Sequence, residues 1–208
     1  MAKEWLLSSG LLMGWSLGAN DSANIFGTGV ASGLIRYRTA VVLTAFFVLM
    51  GAIVEGEKCI TSLGKLTFLS HFEAFLAMTS AALTMTVLTV LGLPASTSQA
   101  IVGAIIGIAA YHGTPDFSAL GKFMTCWVLT PIGGIACSLV LYKPLRFLIY
   151  KRVRSLIARN RFFLIGILIT GSYGAYSLGA NNVANVTGVY VVSGLLSRSW
   201  VLFSVDSV

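Results

Sequence analysis

Long stretches without a single charged residue restrict what this chain can fold into. Residues 39–54, 74–111 and 123–142 carry no charge, and charged residues make up only 10% of the chain. An ordinary soluble domain carries roughly a quarter. About 20 consecutive apolar residues cross a bilayer as a helix, and backbone groups in lipid must be hydrogen-bonded within the protein. These runs lack the two-residue alternation of a membrane β-barrel. The sequence therefore predicts an all-α, polytopic protein of the cell (inner or plasma) membrane.

The apolar pattern divides the chain into six helical segments. They are residues 5–35, 39–54, 72–93, 94–111, 119–142 and 162–196. We expect a polar motif to interrupt the first segment near its middle, and Thr130-Pro131 with Gly133-Gly134 to disturb the fifth. The sequence therefore predicts a fold with broken helices.

Half of the basic residues lie in one short stretch between apolar segments. Seven of the fourteen fall within residues 143–161, with no acidic residue among them. Flanking apolar helices argue against nucleic acid as the partner of this charge. The positive-inside rule instead predicts a cytoplasmic loop at 143–161.

A nine-residue motif occurs twice. Residues 16–24 (SLGANDSAN) reappear as residues 177–185 (SLGANNVAN), and the same offset of 161 pairs Gly27 with Gly188 and Ser32 with Ser193. If the basic loop is cytoplasmic, the second copy starts on the cytoplasmic side, and Arg36 and Arg38 place the end of the first copy on that side as well. The two copies then cross the membrane in opposite directions. This is the inverted repeat of many secondary transporters. An odd number of crossings per repeat is needed, which leaves open five spans or three spans plus a hairpin between residues 72 and 112.

The repeat also sets the expected domain organisation. Residues 1–142 form the first transmembrane repeat, 143–161 the basic loop and 162–208 the start of the second, inverted repeat. The partner of Pro94 would fall at position 255, beyond Val208. We therefore expect a truncated or split form of a longer protein.

The repeated motif places polar groups inside a hydrophobic segment. Asp21 lies between Asn20 and Asn24. A charge at mid-bilayer costs at least about 3 kcal/mol, and residues retained there usually mark a substrate or ion path. A single asparagine would be explained by packing between helices. The duplicated cluster instead favours an ion or substrate site.

A second cluster lies between the two copies. Ser96, Thr97 and Ser98 follow Pro94 at the start of an apolar segment, a pattern typical of a helix N-terminus. Such a terminus presents unpaired N–H groups and partial positive charge, and the hydroxyls add donors. The pattern predicts an oxyanion site.

Together the repeated GAN(D/N)xAN motif and residues 94–107 (PASTSQAIVGAIIG) resemble the inorganic phosphate transporter (PiT) family over about residues 5–198. The resemblance implies cation-driven uptake of phosphate, with Na+ or H+ as coupling ion and no other cofactor. By the same resemblance, the substrate positions are Asp21, Ser96, Thr97, Ser98 and Asn182. The positions near substrate and cation are Asn20, Asn24, Asn181 and Asn185, with Na+ near Asn20, Asp21 and Asn181. Asn182 departs from the family, which usually has aspartate there.

Several alternatives stay open. Relatives of this family carry sulfate, although Asp21 favours phosphate, which can donate its proton to a carboxylate. A channel, or a membrane fragment that transports nothing, is the alternative from another class. His71 and His112 lie at segment ends with no nucleophile or metal cluster beside them, so no enzymatic activity is expected. Besides the anion, the expected partners are membrane lipid and either a second copy or a missing C-terminal half.

Overall fold

The structure is a computed structural model that describes residues 4–63, 69–113, 117–153 and 155–196. One short 3-10 turn, Glu4–Leu7, precedes six α-helices. They are α1 (Ser8–Ala31), α2 (Tyr37–Leu63), α3 (His71–Val90), α4 (Thr97–Tyr111), α5 (Phe117–Arg152) and α6 (Leu156–Val192). The described residues form no β-strand. Stretches long and apolar enough to cross a membrane occur in α2, α3, α5 and α6. The prediction of an all-α, multi-pass membrane protein is confirmed.

The helices that carry the two motifs run antiparallel. Near the start of α1, Ser9 shares a hydrogen bond of 2.5 Å with Tyr190 near the end of α6. Towards the end of α1, Ile25 packs against Gly174, earlier in α6. The opposite directions expected for the two copies are therefore present. The complete inverted repeat stays a prediction, because the described residues contain only the first helix of the second copy.

Both motif helices are continuous, so the predicted interruption of the first segment by its polar motif is wrong. α1 runs unbroken through Asn20 and Asp21, and α6 runs unbroken through Asn181 and Asn182. A continuous helix satisfies its own backbone groups in lipid. The motif side chains form hydrogen bonds with other elements of the fold, so the helix backbone does not have to unwind. The break in this fold lies instead between α3 and α4.

The α3–α4 pair forms a hairpin whose tip reaches the middle of α1. The ring of Trp5 packs 5.0 Å from that of Phe75 near the start of α3, and Asn20 donates to Thr89 near its end. α1 and α3 therefore run side by side in the same direction. α1 continues to Ala31, roughly 16 Å beyond this level at 1.5 Å per residue. The hairpin tip thus stops at the middle of α1, as the arrangement of three spans plus a hairpin requires, and the choice between the two arrangements stays a prediction.

A glycine turn closes the hairpin. Gly92 has a φ of +70°, a left-handed conformation that side chains disfavour. The chain then extends through residues 93–96 and re-enters a helix at Thr97. This geometry directs the N-terminus of α4 towards the centre of the membrane-spanning part.

Reciprocal close contacts hold α2 against α6. A side chain at Gly51 would overlap the carbonyl of Tyr176, and a side chain at Gly179 would overlap the carbonyl of Val48. Small residues allow membrane helices to approach this closely, which increases their van der Waals contact. Through this packing, α2 supports the part of α6 that carries the second motif.

The basic stretch 143–161 is helical over residues 143–152 and 156–161, so the prediction of a loop across the whole stretch is wrong. α5 continues to Arg152 and α6 begins at Leu156, which leaves a connection of three residues. Lysine and arginine are good helix formers and can extend a helix beyond the apolar core. α5 also continues through Pro131 and Pro144, so the predicted disturbance does not end the helix.

Candidate functional site

A cavity of about 500 Å³ lies where the hairpin tip meets the two motif helices. The N-terminus of α4 forms one wall, and α1 and α6 form the others. The lining residues are Asp21, Asn24, Ile25, Ser96, Thr97, Ser98, Thr170, Gly171, Gly174, Leu178, Asn181 and Asn182. The cavity therefore gathers both copies of the motif and the hydroxyl cluster in one place.

Asp21 lies at the junction of the three elements. Its Oδ2 accepts a hydrogen bond of 2.8 Å from the Thr97 hydroxyl and one of 3.4 Å from the Asn182 amide. Both donors bond to the same oxygen, and Oδ1 has no hydrogen-bond partner within the described residues. The carboxylate thus keeps an acceptor for a proton donor or a cation inside the cavity.

Asn185 orients the second motif. Its amide donates to the Asn182 Oδ1 over 2.6 Å and to the Ser98 hydroxyl over 2.9 Å. Because Asn182 uses its oxygen as the acceptor there, its NH2 group is turned towards Asp21. Asn185 is buried, so water does not compete for these bonds. One buried amide therefore fixes the direction of two groups that line the cavity.

The hydroxyl cluster begins a helix, as predicted. Ser96 is the N-cap of α4, and its Oγ accepts a hydrogen bond of 3.4 Å from the N–H of Gln99. Thr97 and Ser98 occupy the first turn, where N–H groups have no partner within the helix. Ser98 accepts from Asn185, which leaves its own O–H free to donate. This wall of the cavity supplies donors and the positive end of a helix dipole.

Charge in the cavity is limited to one group. Asp21 is the single ionisable side chain among the lining residues, and no lysine or arginine lies with it. Within the residues that the structure describes, three or more His, Cys, Asp or Glu side chains do not gather into a metal-binding cluster. An anion here would be held by hydroxyl, amide and N–H donors. Oxygen atoms of Asp21 and the asparagines are the groups available to a cation such as Na+.

The predicted site residues fall into two groups. Those that line the cavity are Asp21, Asn24, Ser96, Thr97, Ser98, Asn181 and Asn182. Asn20 and Asn185 lie behind it, and both are buried. The binding roles of all nine stay predictions, whereas their positions around one cavity are established by the structure.

Asn20 bonds to the hairpin rather than to the cavity. Its amide donates to the Thr89 hydroxyl over 3.0 Å and to the Leu93 carbonyl over 3.3 Å, and its Oδ1 accepts from the Ala95 N–H over 3.2 Å. These bonds use both donors and the acceptor. Asn20 thus ties the connection between α3 and α4 to the middle of α1, which positions Thr97 beside Asp21.

Sequence reasoning missed one wall of the cavity, contributed by an earlier part of α6. Thr170, Gly171 and Gly174 lie there, about one to two turns before the motif. The offset of 161 pairs Gly171 with Gly10, but the residues around this pair differ, so the repeat gave no signal for this wall. A side chain at Gly171 would overlap the ring of Phe26, which indicates close packing of the two helices beside the cavity.

Comparison with known proteins agrees with this geometry. The sequence profile of the phosphate transporter family matches residues 17–206. The inorganic phosphate transporter 2-1 (chloroplastic) of Arabidopsis thaliana is 32% identical over 155 residues, which cover 68% of this chain and 26% of that protein. The sulfate permease CysP of Bacillus subtilis is 27% identical over 191 residues, covering 89% of this chain and 53% of that protein.

A solved structure, described as the sodium-dependent phosphate transporter, has the same fold. Its TM-score is 0.75 at 18% sequence identity, and the match covers 97% of this chain and 70% of that one. The chain spans about a quarter to about half of the length of the curated relatives it matches. Because the family profile matches nearly the whole sequence, the chain belongs to the phosphate transporter family.

Proposed function

We propose that the chain forms the substrate-binding part of a cation-coupled carrier of inorganic phosphate. The observation that carries the proposal is the position of the Asp21 carboxylate, bonded to Thr97 and Asn182 at the N-terminus of α4. The site combines an acceptor with a set of donors, which is the combination that a protonated oxyanion requires. The nearly complete match to the phosphate transporter family supports this substrate.

Protonation distinguishes phosphate from other oxyanions. Near neutral pH phosphate retains a P–OH group, which can donate to the Asp21 carboxylate in a charge-assisted hydrogen bond. Its remaining oxygens would accept from the Ser98 hydroxyl and from the N–H groups at the start of α4. Sulfate has no proton to donate, so the same carboxylate would repel it.

Cation coupling follows from the charge of the occupied site. Asp21 and a bound phosphate are both negative, and no basic side chain lines the cavity. Two negative charges this close repel each other, and a cation that enters with the phosphate would offset the repulsion. Oxygen atoms of Asp21 and Asn181 would hold Na+, or a proton would bind at the carboxylate.

Binding and uptake by the reconstituted chain test this proposal. Radiolabelled phosphate should enter liposomes in a saturable manner that depends on a Na+ or proton gradient. Asp21→Asn removes a charge-assisted bond of about 1.5–3 kcal/mol and should weaken phosphate binding by about ten- to hundredfold. Ser22→Ala is the matched control, because Ser22 bonds to its own helix at Gly18 and does not line the cavity. Unchanged binding in Asp21→Asn would contradict the assignment.

Sulfate is the second candidate, and a specific substitution favours it. Asn182 presents an amide where a second carboxylate would repel a fully deprotonated anion. The similarity to a protein named sulfate permease points the same way. Competition decides between the two anions: excess sulfate should leave phosphate uptake unaffected if Asp21 selects for the P–OH proton.

The same assays separate the remaining alternatives. Saturable uptake that depends on an ion gradient distinguishes a carrier from a channel. Phosphate binding in detergent without uptake in liposomes would identify a fragment that binds the anion but needs further membrane helices to transport it.

A further inference from the structure

The C-terminal end of α5, just before the connection to α6, carries basic and aromatic side chains in two adjacent rows. One row is Tyr142, Arg146 and Tyr150, and the other is Lys143, Phe147 and Lys151, each with a spacing of four residues. Residues four apart lie on the same face of a helix. These six side chains line one groove of about 590 Å³. The ammonium group of Lys151 lies 4.8 Å from the centre of the Phe147 ring.

α6 adds a further cation to this region. The guanidinium of Arg159 lies 4.9 Å from the centre of the Tyr150 ring. Its Nε is buried and has no hydrogen-bond partner within the described residues. Arg159 thus adds positive charge beside Tyr150 at one end of the groove.

Nothing in this part of the sequence neutralises the positive charge. No acidic residue occurs between Asp116 and Asp206. Arg36 and Arg38 follow the end of α1 and lie on the same side of the membrane-spanning part, since α6 begins where α1 ends. The positive-inside rule accounts for basic residues at this level. The rule does not explain why basic and aromatic side chains alternate along one groove of α5.

We infer that this groove binds the headgroup of an anionic phospholipid. The phosphodiester would accept from Arg146, Lys143 and Lys151, and the rings would lie at the boundary between headgroups and acyl chains, where aromatic side chains concentrate. A membrane lipid fits better than a soluble anion because the apolar surface of α5 continues from the groove. Ile135 and Leu139, which precede the groove on α5, are 62% and 69% exposed and would contact the acyl chains.

Lipid binding to the purified chain in detergent tests this inference independently of the transported ion. The measured quantity is the affinity for phosphatidylglycerol relative to phosphatidylcholine, by native mass spectrometry. The triple variant Lys143→Gln, Arg146→Gln, Lys151→Gln should lose about fivefold in phosphatidylglycerol affinity per side chain, and about a hundredfold in total. Affinity for phosphatidylcholine should fall much less, because its quaternary ammonium group cancels the charge of its phosphodiester.

A matched variant removes the same number of charges elsewhere. Arg36→Gln, Arg38→Gln, Lys122→Gln should retain the preference for phosphatidylglycerol, because none of these residues lines the groove. An equal loss in this control would show general attraction by net charge and overturn the inference. Displacement of the lipid by excess inorganic phosphate would overturn it as well, because the groove would then bind a free anion.

Two milder changes keep the test decisive if the triple variant fails to fold. Lys151→Gln alone should weaken phosphatidylglycerol binding about fivefold. Tyr150→Leu keeps every charge but removes the ring beside Arg159, and it should also weaken binding. Full lipid preference in both folded variants would overturn the inference.

Discussion

Asn182 donates a hydrogen bond to Asp21, and the two residues occupy the same position in the two copies of the motif. Because α1 and α6 are antiparallel, equivalent positions can meet only near the point where the helices cross. On one side of this pair Gly14 lies against Val186, and on the other Ile25 lies against Gly174. Applying the offset of 161 to the first contact gives positions 175 and 25, which differ from the second contact by a single residue. The pair therefore lies close to the point where the two motif helices cross, at a single shared site.

The Asn182→Asp substitution should increase the dependence of phosphate binding on cations. It would place a second carboxylate within hydrogen-bond distance of Asp21, where two like charges repel unless a cation or proton lies between them. We expect phosphate affinity to fall at low Na+ concentration and to recover as Na+ or acidity increases. Titrations of phosphate at several Na+ concentrations and pH values measure this effect.

Thr170→Asp provides the comparison, since it adds the same charge to the cavity at an exposed position of α6 that bonds only to the backbone of its own helix. A smaller cation dependence is expected there because Thr170 does not bond to Asp21. Equal behaviour of the two variants would mean that total charge, rather than the Asp21–Asn182 pair, controls coupling.

Loss of the buried amide of Asn185 should weaken phosphate binding although Asn185 does not line the cavity. Asn185→Ala frees Ser98 and Asn182 from the bonds that orient them. The loss of one oriented buried bond costs about 1–3 kcal/mol, which corresponds to about five- to hundredfold in affinity. Calorimetric titration with phosphate measures the change. Thr187→Ala is the control, because Thr187 bonds only to the backbone of its own helix; equal losses in both variants would indicate a general defect of α6.

Much of the site could be predicted because its chemistry is unusual for a membrane segment. An aspartate with repeated asparagines, and three hydroxyls at the start of an apolar helix, stand out against apolar surroundings. Opposite charge bias at the helix ends then sets the directions of α1 and α6. Seven predicted residues line one cavity for these reasons.

The conformation of the motif helices could not be predicted in the same way. Glycines and asparagines within a segment are compatible with an unwound backbone and with a continuous helix. Asn20 decides between them through bonds to Thr89, Leu93 and Ala95, which are distant in the sequence. The depth of the hairpin depends on the same contacts, so the residue pattern left two arrangements open.

The Asn20→Ala substitution should destabilise the hairpin tip. It leaves the Leu93 carbonyl and the Ala95 N–H without their side-chain partner, at a cost of about 1–3 kcal/mol for each group that stays buried. Thermal unfolding should occur at a lower temperature, and a cysteine placed at Ala95 should react faster with a water-soluble reagent. Asn24→Ala is the comparison, since Asn24 is exposed and bonds only to the Asn20 backbone. Equal stability of the two variants would contradict this role for Asn20.

Glycines at equivalent positions of the repeat should respond differently to substitution. Gly179 and Gly18 are related by the offset of 161, but only Gly179 packs against another backbone, at the Val48 carbonyl. Gly179→Leu must separate α2 from α6, and overpacking of this kind costs about 1–3 kcal/mol. At Gly18 an added side chain meets no atom within 4 Å, so Gly18→Leu should leave the thermal unfolding temperature close to that of the parent protein. Similar destabilisation by both substitutions would contradict the packing described, because it would require a neighbour against Gly18.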